Sequence, residues 1–147
     1  MTTHPTVKRR RRFDSPQAMF DRFTDRHPYS LFTKETLMNY CTFGLLPAEE
    51  GAGFTLACPP EVEASVYMTS RTNVQIHDCA RQVQLPVFIL RAPEGPREGM
   101  MDFSASPTWP ELVTLFPNAR ERVLQNLTHF IPMQDPGLVA RAIAEDG

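Results

Sequence analysis

Three side chains in the second half of the sequence are of types that can share a proton: Glu94, Asp102 and His129. His129 stands in the stretch NLTHFIPMQDP, between Leu127 and the Phe130-Ile131 pair, in a loop closed by Pro132 and Pro136. An imidazole held in this way can act as a base. One ring nitrogen takes the proton, while a carboxylate hydrogen-bonded to the other fixes the tautomer. The plain alternative is a loop histidine that only packs. Glu94 and Asp102 both follow the apolar run LPVFIL at 85–90, and either can be the carboxylate.

These residues need elements to bring them together. LPVFIL is continuously apolar with a β-branched bias, the pattern of a strand buried on both faces in a parallel sheet. RERVL at 120–124 reads as a second strand. Between them Ser106-Pro107 opens a helix with Trp109, Leu112, Val113 and Phe116 on one face, stopped by Pro117-Asn118. Strand, crossover helix and strand predict a right-handed parallel unit. Neighbouring strands lie about 4.8 Å apart, so the loops carrying Glu94, Asp102 and His129 are expected to leave the same rim. Ligands gather at that rim in open parallel sheets. QNLTHFIPM reads as loop. A final helix carries Leu138, Val139, Ala142 and Ile143, and Asp135 is its expected cap.

The first half reads as short helices. Asp14 or Ser15 caps one that has Pro16 in its first turn and Met19, Phe20 and Phe23 on one face. Thr33 caps a second, with Leu37, Tyr40 and Cys41 recurring until Gly44. GAGFTLACPP predicts a short strand or extended arm. Pro59-Pro60 then start a helix through Val62, Val66 and Tyr67, and a further helix carries Ile76, Cys79 and Val83. Phe20, Phe23, Tyr29, Phe32 and Tyr40 fit either the lining of a mobile lid or plain packing.

Composition bounds these readings. The chain has 147 residues, 41% of them apolar and 22% charged, with a net charge of −2, which predicts a folded domain without general attraction to nucleic acid. No window approaches the ~18 apolar residues of a membrane span, so no membrane partner is expected. The basic run Lys8–Arg12 precedes no apolar h-region and is expected to be a solvated leader into the first helix. Cys41, Cys58 and Cys79 match no metal or redox spacing and are expected to be reduced thiols packed as small hydrophobes. The location expected is cytoplasmic, with no metal and no cofactor. Two strong strands and one weak one are too few for a covered parallel sheet, so the chain reads as part of a sheet whose other strands lie elsewhere.

The segment THFIPMQDPGLVARAI resembles the histidine loop and last helix of the α/β-hydrolase superfamily, and LPVFILRA is similar to the strand before its acid loop. RRRRFDSPQAMFDRF, GLLPAEEGAGFTLACPPEVEASVY and MDFSASPTWPELV resemble the lid and acid-loop segments of an esterase-like branch. The likeness covers nearly everything after residue 8. It implies an α/β fold: a partial α/β hydrolase with a helical lid and a C-terminal parallel βαβα unit. Residues 1–13 would be a basic N-terminal segment, 14–73 the lid or cap region, and 74–147 the C-terminal part of the core. It implies His129 as general base and, as the acid, Asp102 first because it lies in the acid-loop segment, with Glu94, closer to the strand end, second. The superfamily has a glycine before that histidine; this chain has Thr128.

The superfamily's nucleophile sits in G-x-S-x-G, which this sequence lacks; Ser65, Ser70, Ser104 and Ser106 have no glycine-flanked elbow. The resemblance therefore implies the C-terminal portion of a Ser-Asp-His hydrolase for a small, apolar, ester-like substrate, inactive by itself. Its missing strands and serine would come from elsewhere, a partner chain being one source. The alternative is a non-catalytic interaction module or pseudoenzyme fragment that binds a partner chain or apolar ligand. A nucleic-acid arm at residues 8–12 is a third reading.

Overall fold

The computed structural model describes residues 4–69, 72–95 and 105–146. By their contacts they form two units, Met1–Ser30 with Lys34–Asn73 and Leu31–Thr33 with Val74–Gly147.

In the first unit, Ser15 starts α1 (Pro16–Phe23) from an extended backbone, its Oγ accepting from the Ala18 amide at 3.0 Å. Pro16 occupies a position where a missing N–H costs nothing. Met19 on α1 is completely buried, and α2 (Lys34–Phe43) buries Leu37 and Cys41, one turn apart. The two helices pack on each other. With them lies a three-stranded antiparallel sheet, β1 (Arg12–Phe13), β2 (Leu45–Pro47) and β3 (Phe54–Leu56), with β3 in the middle. Phe13 pairs with Phe54 and Leu45 with Leu56, so the buried Phe13, Leu45 and Leu56 join Met19, Leu37 and Cys41 in one core. The turn between β2 and β3 uses positive φ at Gly51 and Gly53, which other residues adopt at a cost.

The helix predicted after Pro59-Pro60 is α3 (Pro60–Thr69), and the face it buries is not the one that carries Val62, Val66 and Tyr67. It buries Pro60 and Ala64, leaving Val62 51% and Val66 61% exposed, with Tyr67 exposed as well. A small residue at 64 lets the chain at Pro5–Lys8, a 3-10 turn, approach closely, and ion pairs fix the choice. Arg9 pairs with Glu63 and Arg11 with Glu61. The basic run is thus not simply the solvated leader expected. The Arg9 guanidinium is half-buried and also donates to the hydroxyls of Tyr29 and Tyr40, at 3.1 Å each. Burial works against its charge, but the hydrogen bond to Tyr40 and the neighbouring Tyr29 and Glu63 outweigh it and hold Arg9 above its ordinary value. Tyr29 stacks on Phe23 with ring centroids 4.3 Å apart, and burial first, then Tyr40, pushes its phenol up.

The second unit contains the parallel pair. β4 (Val87–Arg91) and β5 (Ala119–Val123) run in register from Val87↔Ala119 to Arg91↔Val123. The pair is closed at its ends by Val87 N donating to Asn118 O at 2.9 Å and Leu124 N donating to Arg91 O at 2.8 Å. Among the described residues this sheet has two strands, and residues 87–90 are only half-buried. Arg120 lies over the Phe88 ring at 4.4 Å and shields part of one face.

The crossover is not the α-helix predicted from Ser106-Pro107 to Phe116 but a 3-10 segment, Pro110–Leu115. Prolines account for this. Pro110 pushes Trp109 out of the helical region (ψ 126) and Pro117 does the same to Phe116 (ψ 129), leaving six residues between them. Leu115 alone of the segment is buried. Before β4, the expected helix is α4 (Ile76–Gln82), which buries Ala80 and leaves Ile76 and Cys79 exposed. After β5, a short helix, α5 (Ile131–Gln134), replaces part of the predicted loop. Then α6 (Pro136–Asp146) begins where Asp135 Oδ1 accepts from Leu138 N at 2.8 Å. Leu138, Val139 and Ala142 are half-buried as expected, while Ile143 is exposed. Two of the three thiols also depart from the packed role: Cys41 is buried, but Cys58 and Cys79 are exposed.

Candidate functional site

The chain leaves β5 through the buried Leu124, whose carbonyl accepts from Leu127 N at 3.2 Å, and enters a tight turn. Ile131, the first residue of α5, is buried and anchors the far side of that turn. Phe130 packs its ring 5.2 Å from that of Phe32, and Met133 O accepts from Thr33 N at 3.0 Å. His129 lies between these anchors and is exposed, its ring centroid 5.4 Å from that of Phe130. None of the described residues hydrogen-bonds its imidazole.

Before His129, Gln134 Oε1 accepts from Thr128 twice, from its backbone N at 2.8 Å and its Oγ1 at 2.5 Å. The same Thr128 hydroxyl accepts from Phe130 N at 3.3 Å. The threonine found in place of the resembled loop's glycine therefore ties the turn together through its side chain.

His129 opens onto a cavity of about 250 Å³. Leu90, Arg91 and Ala92 at the carboxyl end of β4 form one wall, Ser106 and Thr108 of the crossover another, and Ile131 and Val139 supply apolar surface. His129 and the end of β4 thus share a rim, as the strand order predicts. The hydroxyls of Ser106 and Thr108 were not legible as neighbours of His129, since they reach it through an irregular crossover. Ser106 Oγ accepts from Thr108 N at 3.2 Å, so it is part of a local turn.

Arg91 is the buried charged residue of the cavity. Its Nε donates to Glu121 Oε1 at 2.6 Å, and its Nη1 lies 3.9 Å from Glu94 Oε1. The hydrogen bond to Glu121 outweighs the effect of burial and, with the two carboxylate charges, holds Arg91 above the ordinary arginine value. Glu94, half exposed, faces Arg91 and is not among the cavity-lining residues. Asp102 lies outside the described residues.

The two ends of the connection that contains Asp102 meet beside the cavity. Ser106 N donates to Pro93 O at 2.9 Å, and a Cβ on Gly95 would stand 2.3 Å from that of Ala105. That approach demands glycine at 95.

Among the described residues no cluster of three or more His, Cys, Asp or Glu side chains could hold a metal ion, and no helix is long and apolar enough to cross a membrane.

Compared with known proteins, the chain matches no family model and no curated sequence. The fold nevertheless resembles part of an α/β-hydrolase fold. The crystal structure of E-2-(acetamidomethylene)succinate hydrolase superposes with a TM-score of 0.66 over 90% of this chain, at 16% sequence identity. This chain spans 45% of the length of that one.

Proposed function

We propose that the chain is the C-terminal portion of a Ser-Asp-His-type α/β hydrolase, acting on an ester or related carbonyl substrate with an apolar body. His129 is the general base and Asp102 the residue that orients it. The observation that carries this reading is the placement of His129 in one cavity with the carboxyl end of β4. The alternative acid, Glu94, is less well supported because its carboxylate faces Arg91.

An uncharged substrate suits the described walls. The structural relative is named for a succinate derivative, but the fixed cation lining this cavity, Arg91, already faces both Glu121 and Glu94. Among the described lining residues a dicarboxylate would meet no uncompensated arginine or lysine.

In the proposed reaction a serine outside this chain attacks the carbonyl, His129 takes its proton and returns it to the leaving group, and Asp102 holds the imidazole. Removing a triad serine costs on the order of a millionfold in turnover, so the 147 residues alone are expected to show no useful hydrolysis. The test supplies a polypeptide carrying the missing strands and serine and measures turnover of a short-chain ester. Restored activity that vanishes with His129→Ala is the expected result; activity indifferent to that substitution rejects the assignment.

A second reading, a non-catalytic interaction module, is favoured by the exposed apolar side chains of the second unit, among them Val74 and Leu85 at 71% and 73% exposure. It predicts a stable complex with a partner and no dependence on His129. A nucleic-acid arm gains little support, since Arg9 and Arg11 face carboxylates and Arg12 donates to the carbonyl of Glu50.

A further inference from the structure

His129 presents a puzzle of order. It is exposed, and no described residue bonds its ring, which ordinarily leaves a histidine free to sample several rotamers. A base that must meet a proton in one place cannot be so free. Misplacement by about 1 Å can cost a hundredfold in rate.

The residues on either side are, however, closed into a ring of hydrogen bonds. Gln134 Oε1 receives the Thr128 amide at 2.8 Å and the Thr128 hydroxyl at 2.5 Å, and that hydroxyl receives the Phe130 amide at 3.3 Å. Gln134 N in turn donates to Phe130 O at 3.0 Å. The donors leave no ambiguity in the Gln134 amide, because the atom that takes two hydrogens must be the oxygen. The Thr128 hydroxyl gives its single proton to Gln134 and accepts on a lone pair from Phe130, so one side chain grips the backbone before and after His129. Ile131, buried, and the Phe32–Phe130 ring contact at 5.2 Å keep the clamp from drifting.

We propose that Thr128 and Gln134 are positioning residues that hold the backbone of His129 so that its imidazole points into the cavity; this rests on the reading of His129 as the general base. Neither touches the reacting atoms. Glycine before the histidine has no side chain to contribute to such a clamp, so in this chain the hydroxyl does work that backbone flexibility cannot.

The experiment uses the full chain with labelled histidine and reads the three-bond couplings that report χ1 of His129, together with amide exchange at Thr128. The native protein and Thr128→Ser, which keeps the hydroxyl, are expected to show one rotamer. Thr128→Val and Gln134→Leu are expected to show averaged couplings, with Thr128 amide exchange at least about tenfold faster in Gln134→Leu. Gln134→Met, which keeps the unbranched stem, replaces Gln134→Leu if that variant does not fold. Unchanged couplings in the folded variants, with only a lower melting temperature, overturn the proposal, because a merely structural clamp lowers stability without freeing the ring. In the complemented enzyme Thr128→Val should lower kcat tenfold to about a hundredfold and leave KM unchanged; an equal loss in Thr128→Ser counts against the hydroxyl. His129→Ala in that same assay tests the base assignment separately: full turnover there rejects the base, whatever the couplings show about the clamp.

Discussion

Arg91 and Cys41 show two ways in which a buried side chain is governed, the first by its partner and the second by desolvation. Arg91 is 9% exposed and joins β4 to Glu121 of β5 and to Glu94. Replacing it by leucine leaves the part-buried Glu121 without its cation, and losing a charged hydrogen-bond partner in this way costs about 1–3 kcal/mol. Urea denaturation of Arg91→Leu should show a loss of that order; Arg91→Lys keeps the charge but not the fork and should lose less. Cys41 is governed by desolvation alone, which pushes its thiol up from 9.0 to about 11. The folded state therefore holds the proton that the unfolded chain releases first. That contribution to stability is complete below pH 9 and is lost as pH rises toward 11. The stability gap between the native protein and Cys41→Ala should narrow by about 2 kcal/mol between pH 8 and 10.5; equal pH dependence in both proteins removes Cys41 as the source. A thiol reagent at pH 8 should modify Cys58 and Cys79 promptly and reach Cys41 only on unfolding.

At the scale of elements, the helices that end in strong signals carry their own packing. Met19 of α1 is fully buried beside Leu37 and Cys41 of α2, so Met19→Ala should destabilise the first unit by about 2–5 kcal/mol in thermal or urea unfolding. A loss below 1 kcal/mol would mean that the site collapses freely. These helices, α6 and the β4–β5 pair were legible because Ser15-Pro16, Gly44, Asp135-Pro136 and the uncharged run at 87–90 each impose a local choice. The strands β1 and β2, two and three residues long, are too short to display alternation. The inward face of α3 is set by a small alanine and two ion pairs to distant arginines rather than by the β-branched Val62 and Val66, a choice that apolar spacing does not encode. The crossover was misread because its apolar spacing is helical while its prolines forbid a long helix. For the site, the shared rim of β4 and His129 follows from parallel strand order. The Arg91–Glu121 link depends on register, and the Thr128–Gln134 clamp on a turn that periodicity does not encode.

At the scale of the whole molecule, the two strands of the parallel sheet are not equivalent. β5 carries Arg120, Glu121 and Arg122 in a row, the charged pattern that protects a terminal strand from further pairing. β4 is uncharged from Val87 to Leu90, as in strands covered on both faces and paired on both edges. The bonds from Val87 N to Asn118 O and from Leu124 N to Arg91 O direct the odd-numbered residues of β4 toward β5. In the parallel alternation the backbone groups of Phe88 and Leu90 then face away. Among the described residues nothing pairs with them. If the remaining strands of the proposed hydrolase join this chain, they should therefore add beyond β4. Hydrogen exchange on the complemented protein should slow at the Phe88 and Leu90 amides by about tenfold or more, while the outward amides of Glu121 and Val123 stay as they were. Protection appearing at Glu121 and Val123 instead would place the growing edge on β5 and remove the reason for reading the apolar run of β4 as an interior strand.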